Sequence, residues 1–453
     1  MDREYFMGRK ILVTGLGRSG AAALKTLLAM GADVSVQDSK MEKDIDSDVL
    51  QLIHESGVKA YLGCVPDEKY DMVVLSPGVP PALPFIKQQE AAGAQITGEL
   101  ELAYRICRGK FAAITGTNGK TTTTTLAGRI FGAAFEHSYV GGNIGIPVVS
   151  EAYEAPSDAW LVTECSSFQL ETTSEFHPSV SAVLNLTPDH LNRHGSMENY
   201  GKAKAKIFAN QTEDEYVVIN YDDKNCLELA QGCRAKLVPF SRKEKLSFGA
   251  YVDDGMIVVN DGSIHEICDV SELKIIGAHN IENVLAAAAL SYFAGIDTGI
   301  ISEEIRNFRG VEHRIEFAGQ KNGIRFYNDS KGTNTDATIT AIRALEKNII
   351  LLAGGDAKKQ DFKPLAAELD GAVRYLVLYG RDAESIRRAC DDAGFTSYCV
   401  KSDLEEALKE AVSKAMPGDS ILLSPACASW DAYPDFEARG NHFKEMVMKY
   451  IEN

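Results

Sequence analysis

The chain has 453 residues, 45% hydrophobic and 25% charged, with a net charge of −17 and a pI near 5.1. A length beyond what one hydrophobic core serves implies roughly two to four domains. The acidic balance excludes a general nucleic-acid or anionic-membrane surface, since both need a positive field. Nine dispersed cysteines with no CxxC pair, no signal-peptide pattern and no apolar run near roughly 20 residues lead us to expect a cytoplasmic chain with reduced thiols and no membrane insertion.

Short apolar runs alternate with helical patterns from the start. Residues 10–14, 33–38 and 72–75 read as strands and 21–30 as a helix, the βαβ rhythm of a parallel sheet, with a pause near Gly98. A second rhythm opens with a strand at 111–114 and a helical run at 120–132, and continues with strands at 160–163, 180–184 and 216–219. Asp254-Gly255 and Asp261-Gly262 are hairpin signals, so a small antiparallel piece is expected around them. The Ala-rich run 281–293 predicts a buried helix. After Arg309-Gly310 a third rhythm places strands at 324–327, 349–352, 375–378 and 420–423. Three α/β units in tandem are expected: 1–98, 99–310 and 311–453.

The segment TGTNGKTT at residues 115–122 follows a strand and opens a helix. That context lets backbone N–H groups of Gly116, Thr117, Asn118 and Gly119 turn onto an anion, aided by the helix dipole. Lys120 would reach the β- and γ-phosphates, and the hydroxyl of Thr121, next to Thr122, would ligate Mg²⁺. The full Walker pattern wants a glycine where Ile114 stands, so the match is the shorter GxxGK[ST] form. Glu164, at the end of the next strand, sits where a second metal ligand belongs. The polar run 185–194 contains Asp189-His190, and His190 is a candidate metal or phosphate contact. Near the N-terminus, Gly15-Leu16-Gly17-Arg18-Ser19-Gly20 between a strand and a helix, with Asp38 ending the next strand, fits a dinucleotide fingerprint; the same geometry holds any pyrophosphate.

Taken together, these motifs resemble those of the Mur ligase family. The carrying segments are TGTNGKTT, GGNIG (141–145), ECSSFQLE (164–171), NLTPDHLNRHGSMENYGKAKAKI (185–207), GAHNIEN (277–283) and EHRIE (312–316). NDSKGTN (328–334), GGDAKKQDF (354–362) and SPACASWDAYPDFEARGNHF (424–443) extend the likeness over essentially the whole chain. ECSSFQLE and the SPACAS segment point to the D-glutamate-adding branch.

The resemblance implies an α/β protein with an N-terminal Rossmann-like UDP-binding domain, a central P-loop ATPase domain and a C-terminal Rossmann-like amino-acid domain. It implies amide-bond formation from UDP-N-acetylmuramoyl-L-alanine, D-glutamate and ATP in peptidoglycan precursor synthesis, with Mg²⁺ at two sites and a monomeric chain. By matching position, Arg18, Ser19, Gly20, Ser39, Lys40, Ser76, Gly78, Asn143 and His190 would hold the UDP substrate. Asn283, Arg314 and Asp329 would join the phosphate loop in holding ATP. Thr333, Lys358, Ser429 and Phe436 would hold D-glutamate. Lys204 matches a lysine carried as a carbamate, which would ligate metal beside Thr121, Glu164 and His190; Lys120, His190 and Lys204 are the catalytic set. Rivals are a folate-polyglutamating relative, which lacks the front GxGxxG domain, an NAD-dependent oxidoreductase fused to a P-loop module, and a non-enzymatic nucleotide sensor.

Overall fold

The computed structural model describes residues 3–357 and 360–452. The first sheet contains β1 (Lys10–Thr14), β2 (Asp33–Asp38), β3 (Lys59–Leu62), β4 (Met72–Leu75) and β5 (Gln95–Gly98), all parallel in the order β3-β2-β1-β4-β5. Strands β1 and β4 are buried along nearly their whole length, which is why they read as unbroken apolar runs rather than alternating ones. Chain order reverses between β1 and β4, so the crevice at their C-terminal ends is the natural ligand position.

The second sheet is built from β6 (Lys110–Thr115), β7 (Ser138–Gly142), β8 (Trp160–Glu164), β9 (Val180–Val183), β10 (Tyr216–Asn220), β11 (Lys236–Ser241), β12 (Gly249–Asp253), β13 (Met256–Asn260) and β14 (Ile264–Asp269). Its order is β14-β13-β12-β11-β10-β9-β6-β8-β7. The two hairpins expected from Asp-Gly signals are present as the antiparallel pairs β12–β13 and β13–β14. They extend the parallel sheet through β11–β12 rather than standing apart from it. At the first turn Asp254 and Gly255 both have positive φ (48° and 87°), the geometry that matches strand twist.

The third sheet holds β15 (Glu316–Lys321), β16 (Ile324–Asn328), β17 (Ile349–Gly354), β18 (Val373–Tyr379), β19 (Tyr398–Val400) and β20 (Ser420–Leu423), in the order β15-β16-β20-β17-β18-β19. Only β15 runs antiparallel to its neighbour. Alternate residues of β17 feed opposite cores: Ile349, Leu351 and Ala353 on one face, Ile350 and Leu352 on the other.

Two compact units result. One comprises residues 1–272 with 281–306, the other 273–280 with 307–453. The first two sheets share the first unit because one apolar core runs through both, from Phe6, Val13 and Leu24 by way of Leu100, Leu102 and Ile106 to Phe111, Val149 and Val217. The connection is the helix Glu99–Ile106, which starts directly after β5. Its Glu101 is fully buried, yet it accepts from the amides of Ser174, Glu175 and Phe176 (3.0, 2.9 and 3.1 Å), from the Ser174 hydroxyl and from Arg105 Nε (3.1 Å). A buried carboxylate is costly unless its lone pairs are filled in this way. Among the described residues, no helix is long and apolar enough to cross a membrane. None of the nine cysteines is in a disulfide.

Candidate active site

The turn after β6 delivers residues 116–119 to the start of the helix Lys120–Ala134. Gly119 has φ +82°, and a Cβ there would lie 2.2 Å from Asn283 Oδ1, so both the backbone and the space demand glycine. Asn283 is thereby set against the turn, and it accepts from the Thr123 hydroxyl (3.3 Å). The outer side of the turn is strapped to the segment after β9. Thr117 N–H donates to Asn185 O (3.0 Å), Asn118 N–H to Asn185 Oδ1 (2.8 Å), and Asn185 Nδ2 back to Asn118 O (3.1 Å). Thr117 Oγ1 also lies 3.2 Å from Tyr200 Oη.

Two lysines converge on one acceptor inside this turn. Lys120 Nζ donates to Gly116 O (3.0 Å) and Thr117 O (2.9 Å); Lys204 Nζ donates to the same Gly116 O at 2.7 Å. Lys204 is only 1% exposed, and burial, reinforced by the charge of Lys120, pulls its ammonium down to about 7. The two amines thus meet at one carbonyl oxygen, an arrangement that suits an anionic group.

Glu164 ends β8, the strand beside β6, and is 1% exposed. Its Oε1 accepts from Asn143 Nδ2 (2.7 Å), while Oε2 is buried with no hydrogen-bond partner. A bare, buried carboxylate oxygen next to a phosphate turn fits a divalent cation. Thr121 sits in the first turn of the helix that the loop opens. His190 has φ +52°, lies half exposed within 3.4 Å of Asp189 Oδ2, and packs its ring on Phe168 at 4.8 Å. Among the described residues no three His, Cys, Asp or Glu side chains close into a metal cluster. A cation here would therefore take much of its shell from phosphate oxygens and water, as Mg²⁺ does.

In the first sheet the loop after β1 meets the loop after β4. Gly15 O accepts from Ser76 Oγ (2.7 Å), and a Cβ on Gly20 would lie 1.8 Å from that same carbonyl. Arg18, Ser39, Lys40 and Gly78 are exposed around this crevice, with Ser19 and Ser76 partly exposed. Asp38 does not behave as the ribose-reading acid of a dinucleotide fold. Its Oδ2 accepts from Leu16 N–H (2.7 Å) and its Oδ1 from Lys40 N–H (2.9 Å), so it braces the loops. Arg193, which sequence reasoning passed over, bridges the two sheets by donating to Val79 O (3.3 Å) and Glu171 Oε2 (2.9 Å).

The second unit gathers the remaining candidates. Asp329, just past β16, is 4% exposed; burial pushes its carboxyl up to about 7, with Ser424 and Arg314 pulling the other way. It accepts from Ser424 Oγ (2.6 Å) and Ile315 N–H (3.2 Å). Thr333 is linked through its carbonyl to Gln360 Nε2 (3.4 Å), which also reaches Ala426 O (3.0 Å). Ser429 is 2% exposed, and Phe436 begins the C-terminal helix. The fully buried Arg439, another residue missed, ties these loops together by donating to Ser330 Oγ (3.0 Å), Ser330 O (2.9 Å) and Cys427 O (3.1 Å). Its sequence signal is its place in the segment 424–443, where no role attaches to it. Lys358 lies outside the described residues. Asn283 belongs to the first unit, Arg314 and Asp329 to the second.

A glycine turn after a parallel strand, a lysine folded across it and an unfilled carboxylate on the next strand are the features a nucleotide-phosphate site needs. Comparison with known proteins places that site in a family. Family models match in chain order: "Mur ligase MurD-like, N-terminal domain" over residues 9–98, "Mur ligase middle domain" over 114–291 and "Mur ligase, glutamate ligase domain" over 313–427. The UDP-N-acetylmuramoylalanine–D-glutamate ligase of Alkaliphilus metalliredigens is 46% identical over 445 residues, covering 97% of this chain and 98% of that protein. The ligase of the same name from Clostridioides difficile is 43% identical with the same coverage. This chain belongs to the Mur ligase family. The crystal structure of UDP-N-acetylmuramate–alanine ligase from Thermotoga maritima shares the fold, with a TM-score of 0.60 at 21% identity over 98% of this chain and all of that one.

Proposed function

We infer that this chain is an ATP-dependent ligase that adds D-glutamate to UDP-N-acetylmuramoyl-L-alanine in peptidoglycan precursor synthesis. The observation that carries the reading is the end-to-end match, at 46% identity, to a ligase of that name. The phosphate turn and its two lysines supply the matching chemistry. The reading places the enzyme in the cytoplasm as a monomer, with residues 1–98 for the UDP substrate, 99–310 for ATP and 311–453 for the amino acid.

An amide does not form from a carboxylate in water without activation. The L-alanyl carboxylate attacks the γ-phosphorus of ATP, a C–O–P link forms and ADP leaves. The D-glutamate amine then attacks the acyl carbon, loses a proton, and inorganic phosphate departs. Phosphoryl transfer is mostly positioning and charge neutralisation. Lys120 and the glycine turn that carries it serve that purpose, although the amides of Thr117 and Asn118, expected to face the anion, are donated to Asn185 instead. Asn283, Arg314 and Asp329 are the residues assigned to the nucleotide. No covalent enzyme intermediate is needed, and burial pushes the Cys165 thiol far up, out of nucleophilic range.

Thr121, Glu164 and His190 would hold Mg²⁺ at two sites, and the ion would supply charge neutralisation at the transferring phosphoryl group. Lys204 completes that set as a carbamate: its neutral nitrogen adds to CO₂ and releases a proton, leaving an anion. The burial that holds this amine near neutrality favours such a reaction. Arg18, Ser19, Gly20, Ser39, Lys40, Ser76 and Gly78, with Asn143 and His190, bind the UDP substrate; Thr333, Lys358, Ser429 and Phe436 bind D-glutamate. The test is phosphate release from ATP with UDP-N-acetylmuramoyl-L-alanine across a panel of D- and L-amino acids. Release that depends on D-glutamate is expected; release indifferent to it overturns the substrate assignment.

A further inference from the structure

The turn leading into β15 is folded in a way its own residues disfavour. His313 and Ile315 have φ +62° and +45°. A β-branched residue in that region is a genuine outlier, and such strain persists only where the surroundings over-determine it. Here they do, through Asn328, the last residue of β16 and the register partner of Glu316.

Asn328 is fully buried. Its Nδ2 donates to His313 Nδ1 (2.9 Å) and Glu316 Oε2 (3.0 Å), and its Oδ1 accepts from Ser330 N–H (3.1 Å), which orients the amide. Glu316 Oε2 also accepts from His313 N–H (2.9 Å), and Lys331 N–H donates to His313 O (3.0 Å). Behind the ring lies Gly440, where a Cβ would be 2.2 Å from His313 Nδ1. On the far side of the turn, Ile315 N–H donates to Asp329 Oδ1 (3.2 Å). Arg314, between the two strained residues, is thus held beside Asp329, whose carboxyl feels its charge. The paired strand ends of β15 and β16 therefore act as a clip, with Asn328 as its pin.

We propose that Asn328 is a positioning residue of the ligase reaction, pinning the strained turn so that Arg314 and Asp329 are preformed for ATP. The proposal rests on the assignment of that pair to the nucleotide. A glycine at position 313 or 315 would relieve the strain. The chain instead keeps side chains there, with His313 and Glu316 held by the buried Asn328 amide and Ile315 N–H by the neighbouring Asp329.

The experiment is steady-state kinetics of the full-length chain with Asn328→Ala, Arg314→Ala and the double variant, with thermal midpoints in parallel. Asn328→Ala should raise KM for ATP about ten-fold while KM for D-glutamate and for the UDP substrate stay within about two-fold. Because it acts through Arg314, the double variant should be no worse than Arg314→Ala by more than about two-fold. If Asn328→Ala does not fold, Asn328→Asp keeps the shape and the Ser330 contact but donates nothing to His313 or Glu316, and should give the same ATP-selective defect. Equal rises in all three KM values, or effects that multiply in the double variant, overturn the positioning role. Arg314→Ala with an unchanged KM for ATP overturns the nucleotide assignment, and the proposal with it.

Discussion

Two glycine turns in this molecule follow the same plan: a buried parallel strand, a glycine-rich loop, a helix, and an acid at the end of the neighbouring strand. After β1 that acid is Asp38, and both of its oxygens are filled by backbone amides of Leu16 and Lys40. After β6 it is Glu164, with one oxygen held by Asn143 and the other bare. The glycines make each loop hospitable to an anion. What each site can do depends on whether the neighbouring carboxylate is used up internally or left open, and on whether lysines enter the loop.

The largest effect that tests this contrast is at the second turn. Lys120→Ala should reduce kcat/KM by at least about a thousand-fold, since it removes charge from the transferring phosphoryl group. A variant retaining more than a tenth of the activity would break the assignment. Next, Glu164→Gln should cost about a hundred-fold in kcat and raise the Mg²⁺ needed for half-maximal rate, with the thermal midpoint unchanged or higher. Lys204→Ala should lose activity to a similar degree and recover part of it with added short carboxylic acids; no recovery would remove the case for a carbamate.

Asp38→Ala should do the reverse of Glu164→Gln. Two charge-assisted hydrogen bonds disappear, one buried and one part-buried, for about 2–4 kcal/mol of stability by denaturant titration, and KM for the UDP substrate rises while KM for ATP does not. An Asp38 variant that is fully stable but inactive would make it a ligand contact after all.

The smallest expected effect concerns a second bare oxygen, in the helix joining the two sheets. Glu99 Oε1 accepts from Val149 N–H (2.8 Å), Oε2 has no partner, and burial pushes the carboxyl up to about 7. The folded state binds this proton more tightly than the unfolded chain does. Its contribution is therefore fully present below about pH 4.5 and is lost as pH rises through about 7. Glu99→Gln should abolish that slope and be more stable than the parent at pH 8 by about 1–3 kcal/mol, read from urea unfolding at several pH values. A slope surviving in the variant would place the titration elsewhere.

Much of this arrangement is legible before folding. β1, β2, β4 and β20 begin at the residues expected from the sequence, and the phosphate turn announces itself by Gly116, Gly119 and Lys120 following a strand. Short or mixed strands such as β5 and β7 carry too little apolar signal and escaped notice, as did the helix Glu99–Ile106, whose buried face includes two acids and an arginine. Arg439 and Asn328 lie within quoted family segments, yet the sequence attaches no role to either, because their meaning lies in partners 109 and 15 residues away.

From the sequence alone came the three α/β rhythms, the phosphate turn and the family, because periodicity and motif spacing are local properties of the chain. The tertiary structure decided which carboxylates are spent and which are open, that Lys204 is buried against Gly116 O with its ammonium near neutrality, and that the first two sheets share a core. Those are matters of desolvation and of partners distant in sequence, and only the folded chain brings the partners together.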